Sequence, residues 1–263
     1  MTVTIKESWS THNIYDVTFY GDCIQTVVTN SPSVVGSWIS VIQLIHRPRL
    51  KNLIVGLHTE QHPNFNYKNE HPLATLQLCV GHRCLIFQII HASYIPQALQ
   101  DFLLNANYSF VGVKVEEDVE KLEKDYNLNF GNVIDLRTLA AQVRGEHMKE
   151  WKQVGLKGLS EKVLQKKIEK PKEIQLSKWD NRSLSSAQVQ YACVDAFVSF
   201  EIGRTLKTDS LSSSSSSSLS PGLLLMGLVT ALAFGFYRYK RRIQKQDENQ
   251  SEMHKILMEL CFF

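Results

Sequence analysis

An α/β domain built on a mixed sheet is the fold class this sequence predicts. Apolar runs of strand length come first, and strand-like and helix-like segments alternate after them. The chain has 263 residues, 43% of them hydrophobic, enough for one ordinary core with tails.

Residues 1–13, MTVTIKESWSTHN, read as an N-terminal tail without the apolar run of a secretory signal. Across 14–30, Ile14-Tyr15-Asp16-Val17-Thr18-Phe19 and Cys23-Ile24-Gln25-Thr26-Val27-Val28-Thr29 flank Gly21-Asp22, a hairpin signal. Ser33 then precedes Val34, Val35, Trp38, Ile39 and Ile42, whose spacing predicts an amphipathic helix. Leu53-Ile54-Val55-Gly56-Leu57 is a short apolar strand, expected in the centre of a sheet. Residues 75–80 and 84–88 flank Gly81-His82-Arg83 as a second hairpin. Residues 96–105 predict a helix opening at Pro96, a favoured first-turn residue. Residues 109–113 form a strand leading into a helix around 117–126, and 133–136 form another strand. Helices follow around 138–144, 158–165 and 185–206.

The folded domain is expected over 14–207. Beyond it, Ser212 to Ser218 dominate a polar linker at 208–218. The next nineteen residues, 219–237, are almost uncharged and approach the ~20 needed to span a bilayer. Arg238, Lys240, Arg241 and Arg242 open the polar tail, 238–263. A single tail anchor that leaves the domain in the cytosol is the simplest topology, although the positive-inside rule would also keep this basic flank cytosolic. The five cysteines are scattered, without zinc spacing, and read as reduced core thiols of a cytoplasmic or nuclear protein. The net charge of +3 is too small to imply a nucleic-acid partner by itself.

Three stretches carry candidate chemistry. His58 and Glu60 stand two apart on a strand, so they share a face. Asp118 falls in the first turn of the helix after strand 109–113. Tyr191 and Asp195 are four apart on a helix and also share a face. Carboxylates converging from a strand and two helices suit two-ion phosphodiester hydrolysis, in which Mg²⁺ or Mn²⁺ takes oxygen ligands.

In order, spacing and flanks these stretches resemble the DEDDy 3′–5′ exonucleases, whose fold is ribonuclease-H-like (DnaQ-like). The likeness is nearest to plant Werner-syndrome-like and RISC-clearing enzymes and covers roughly residues 10–207. It is carried by Val111 through Leu122, by Tyr191-Ala192-Cys193-Val194-Asp195-Ala196, and by the lead-in Ser177-Lys178-Trp179-Asp180 with Leu184 and Gln188. The resemblance implies that Glu60, Asp118 and Asp195 bind two divalent ions and that Tyr191 positions the attacking water. Where the family carries Asp-x-Glu, this chain reads His58-Thr59-Glu60, followed by Gln61-His62-Pro63. Imidazole offers one neutral nitrogen in place of two charged oxygens, a poor exchange for Mg²⁺ and a tolerable one for Mn²⁺ or Zn²⁺. Lys114 stands where relatives commonly have glycine and is expected to add bulk and charge near the site.

Between 149 and 178 lies a lysine run. Lys149, Lys152, Lys157, Lys166 and Lys167 are expected to line the backbone of a single-stranded RNA or DNA partner. Trp151 reads better as a core residue than as a stacking platform. Two functions remain open: a 3′–5′ exonuclease weakened by His58, or a catalytically inactive binding or regulatory module. The resemblance also implies homo- or hetero-oligomers with related exonucleases.

Overall fold

In the computed structural model, which describes residues 1–63, 71–145 and 148–215, eight strands build a single sheet. They are β1 (Thr2–Ser8), β2 (His12–Phe19), β3 (Asp22–Thr29), β4 (Leu53–Gln61), β5 (Leu73–Val80), β6 (Arg83–Phe87), β7 (Tyr108–Gly112) and β8 (Val133–Asp135). The helices are α1 (Pro32–Ile45), α2 (Gln97–Leu104), α3 (Val115–Tyr126), α4 (Leu136–Arg144), α5 (Met148–Lys152), α6 (Leu156–Leu159), α7 (Lys172–Gln175) and α8 (Ser186–Ser215).

The sheet order is β1-β2-β3-β6-β5-β4-β7-β8. The pairs β3–β6, β4–β7 and β7–β8 are parallel and the others antiparallel, so the sheet is mixed. The first hairpin closes at Tyr20-Gly21, both at positive φ, as a tight two-residue turn between right-twisted strands requires. Every residue of β5 is buried, which accounts for its nearly unbroken apolar sequence.

The two faces of the sheet are covered by different helices. On β7, Val111 faces α8, where a Cβ on Gly203 would come within 2.9 Å of it. The neighbouring Phe110 instead meets Phe102 of α2 edge-on at 5.9 Å. Thr26 of β3 donates to Cys193 Sγ of α8 at 3.0 Å. The closest approach is at Gly56 of β4, where a Cβ would lie 2.0 Å from the Ala196 carbonyl oxygen and 2.7 Å from Phe200 N. Only a residue without a side chain lets α8 lie this close to the central strand.

Several expectations are corrected. Residues 2–8 are not tail but an edge strand on β2; its side chains are mostly exposed, so no apolar alternation marks it. Pro96 lies outside α2, its extended backbone capping the helix that starts at Gln97. The helix expected at 158–165 divides into α6 and a π turn, Ser160–Leu164, that ends on left-handed Gln165. The last helix continues past 206 to Ser215, into the serine tract. Cys79, Cys84 and Cys193 are buried free thiols, while Cys23 is exposed. Among the described residues no helix is long and apolar enough to cross a membrane, and the stretch 219–237 lies outside them.

Candidate active site

The C-terminal half of β4 carries His58 and Glu60 on the face that Gly56 opens to α8. The start of α8 is held by a reciprocal cap. Gln188 N donates to Ser185 Oγ at 3.2 Å, and Ser185 N donates to Gln188 Oε1 at 3.0 Å. Gln188 Nε2 also donates to Ser177 Oγ at 2.9 Å and to the Lys178 carbonyl at 3.2 Å. Fully buried Trp179 packs against Tyr191 with ring centroids 6.0 Å apart. The lead-in run 177–188 is thus a clamp that sets the axial position of α8, and with it Tyr191 and Asp195.

Three potential ligand groups converge between β4 and α8. His58 Nε2 lies 3.2 Å from Glu60 Oε1 and 3.2 Å from Asp195 Oδ2. One ligand atom from each of the three falls within 4.8 Å of the others. Lys170 enters the same space, its Nζ 2.7 Å from Asp195 Oδ2 and 5.2 Å from the centre of the Tyr191 ring. Asp118 sits at one remove, accepting a 2.7 Å hydrogen bond from Thr59 Oγ1.

The electrostatics follow from this packing. Burial works against a charged His58 ring, but hydrogen bonds and charges from Asp195 and Glu60 outweigh it and push the imidazole up to about 10. Burial would raise Asp195, yet Lys170 and His58 hold its carboxyl below the usual range. Burial and the Asp195 charge push the Tyr191 hydroxyl up to about 12. Asp118 is raised, chiefly because it is buried.

The donor set fits one divalent ion better than two. A nitrogen and two carboxylates converge within the reach of a single cation, a combination that suits Mn²⁺ or Zn²⁺ more than Mg²⁺. Asp118 lies outside that convergence and is engaged by Thr59.

The structure therefore brings His58, Glu60, Tyr191 and Asp195 together and leaves Asp118 adjacent. Lys114 does not add charge to the cluster; its ammonium pairs with Glu117 at 3.1 Å on the surface. Its backbone is left-handed, φ 57, a conformation that glycine adopts without a steric penalty. Lys149, Lys152, Lys157 and Lys167 are exposed, whereas Lys166 is held by Asp22 at 2.8 Å. Trp151 is buried, with the Lys162 ammonium over its ring. Lys170 escaped sequence reasoning because nothing in the lysine run distinguishes it from its solvated neighbours.

A family described as 3′–5′ exonuclease matches residues 41–209, most of the folded chain, and the protein belongs to that family. A 3′–5′ exonuclease of Arabidopsis thaliana is 37% identical over 156 residues, which are 58% of this chain and 52% of that protein. The mouse bifunctional 3′–5′ exonuclease/ATP-dependent helicase WRN is 32% identical over 154 residues, 58% of this chain and 11% of that one. The chain thus spans about half the length of the Arabidopsis relative. Escherichia coli RNase D shares the fold at a TM-score of 0.58 and 18% identity, over 71% of this chain and 45% of its own. The catalytic core of RRP6 from Trypanosoma brucei does so at 0.56 and 18%, over 76% and 50%.

Proposed function

We propose that this chain is a slow 3′–5′ exonuclease acting on the ends of single-stranded RNA or DNA, with hydrolysis weakened by His58. The observation that carries the reading is the convergence of His58, Glu60 and Asp195 within 4.8 Å, on a fold whose family hydrolyses 3′ ends. A bound divalent ion would supply charge to the scissile phosphate and an acidified water. His58 offers it one nitrogen, and Glu60 and Asp195 offer carboxylate oxygens. Tyr191, kept protonated by its raised pKa, has a hydroxyl to orient the water. Asp118 adds negative charge that favours cation capture and is the reserve ligand, should Thr59 release it. The exposed lysines Lys149, Lys152, Lys157 and Lys167 would track the phosphate backbone. The placing beside plant Werner-syndrome-like enzymes is supported by the Arabidopsis relative.

The test is a ladder assay with the full chain on 5′-labelled single strands in Mn²⁺. Stepwise shortening that disappears in Asp195→Asn supports the reading. Retained binding of the strand without any shortening would replace it with the non-catalytic, regulatory module.

We also propose that 219–237 anchors the chain, with the domain facing the cytosol. Full-length protein that stays with membranes through carbonate extraction supports this, and recovery in the supernatant rejects it.

A further inference from the structure

We infer that Lys170 is a resident cation of the centre, restricting it to one divalent ion and lowering its affinity for that ion. The inference rests on the proposed reading of His58, Glu60 and Asp195 as the ligand set. Its geometry is direct. The Lys170 ammonium lies 2.7 Å from Asp195 Oδ2, the same oxygen that faces His58 Nε2 at 3.2 Å, and 5.2 Å from the centre of the Tyr191 ring. An ion bound through that oxygen must share it with the ammonium or displace it, and one bound through Oδ1 still meets the ammonium's charge across the same carboxylate.

Lys170 is delivered by a tethered segment and not by a free surface arm. Ile168, two residues before it, is buried. Ser160 Oγ donates to the Lys166 carbonyl at 2.7 Å. Lys166 Nζ reaches Asp22 Oδ2 at 2.8 Å, and Lys167 N donates to the Tyr20 hydroxyl at 3.1 Å. These bonds pin the segment to the β2–β3 turn, and α7 begins immediately beyond it at Lys172. Withdrawing the ammonium therefore means bending a held chain or rotating a side chain that is only 21% exposed.

Charge agrees with the geometry. Glu60, Asp118 and Asp195 carry three negative charges, and the fixed charge of Lys170 leaves two. With His58 binding as neutral imidazole, a single divalent ion balances the site, and a second would bring uncompensated positive charge into a partly buried space. In this chain the ammonium does electrostatically what a second ion would do, at the cost of competition for Asp195.

The experiment is Mn²⁺ binding to the full chain, followed by the electron paramagnetic resonance of free Mn²⁺. It compares wild type, Lys170→Met, Lys170→Arg and Asp195→Asn. Wild type should bind one ion, and Lys170→Met should bind about tenfold more tightly, since removing the ammonium frees one ligand oxygen. Lys170→Arg should stay near wild type, which loss of packing alone would not predict. Should the methionine variant not fold, Lys170→Gln reads the same loss of charge. Two ions in wild type, or equal affinity with and without the lysine charge, would overturn the role given to Lys170. Binding that survives Asp195→Asn would overturn the centre itself, and Lys170 with it.

Discussion

His58 Nε2 stands 3.2 Å from Asp195 Oδ2, an imidazole set directly against a carboxylate that is only 3% exposed. Against the opposing effect of burial, this contact, with Glu60 on the same nitrogen, raises the ring's pKa well above its ordinary range.

That contact gives a pH dependence of fixed sign. The folded-state pKa of His58, about 10, is raised above the unfolded value of about 6.5, so its stabilisation is complete below the latter. It is lost progressively as pH rises through about 10. Asp195, whose pKa is depressed, acts oppositely: its contribution is present above the normal carboxylate range and is lost in acid. Urea denaturation of metal-free protein should show wild type losing stability between neutral and alkaline pH more steeply than His58→Gln. Parallel profiles would show that the ring is not held charged.

Gly56→Ala should destabilise the fold by about 3 kcal/mol or prevent folding, because overpacking against backbone cannot be relieved by a rotamer change. The added methyl would lie 2.0 Å from the Ala196 carbonyl oxygen, driving α8 and Asp195 away from β4. Thermal unfolding measures it, and a variant with an unchanged melting temperature would contradict this packing.

Lys114→Gly should stabilise the chain by about 1 kcal/mol, since glycine removes the cost of a side chain in the left-handed region. Lys114 N would still donate to Asp135 Oδ2, the 2.8 Å bond that fixes the turn before α3. Chemical denaturation checks it, and a loss of stability would show that the Lys114–Glu117 surface pair outweighs the backbone strain.

Much of this architecture is legible from local pattern. The apolar runs in 14–30 mark β2 and β3, the largely apolar 75–80 marks β5, and the helix expected from 185 is α8, which starts at Ser186. Within the site, the spacings of His58 with Glu60 and of Tyr191 with Asp195 convert directly into shared faces of β4 and α8. What stayed hidden depends on distant contacts. Among the described residues β1 pairs only with β2, and apart from half-buried Val3 its side chains are exposed. Lys170 becomes a site residue only because Asp22 and Tyr20, far away in sequence, fasten its segment over Asp195. The left-handed backbone at Lys114 is equally invisible in a lysine, a residue type that rarely adopts it.

The most direct test of the centre compares wild type with His58→Asp on end-labelled single-stranded RNA and DNA, in Mg²⁺ and in Mn²⁺. Restoring two charged oxygens where the imidazole now faces Glu60 and Asp195 should raise the Mg²⁺-dependent rate by about a hundredfold or more. The gain in Mn²⁺ should be smaller, since that ion accepts the nitrogen ligand. Equal Mg²⁺ rates for the two proteins would contradict the claim that His58 limits this active site.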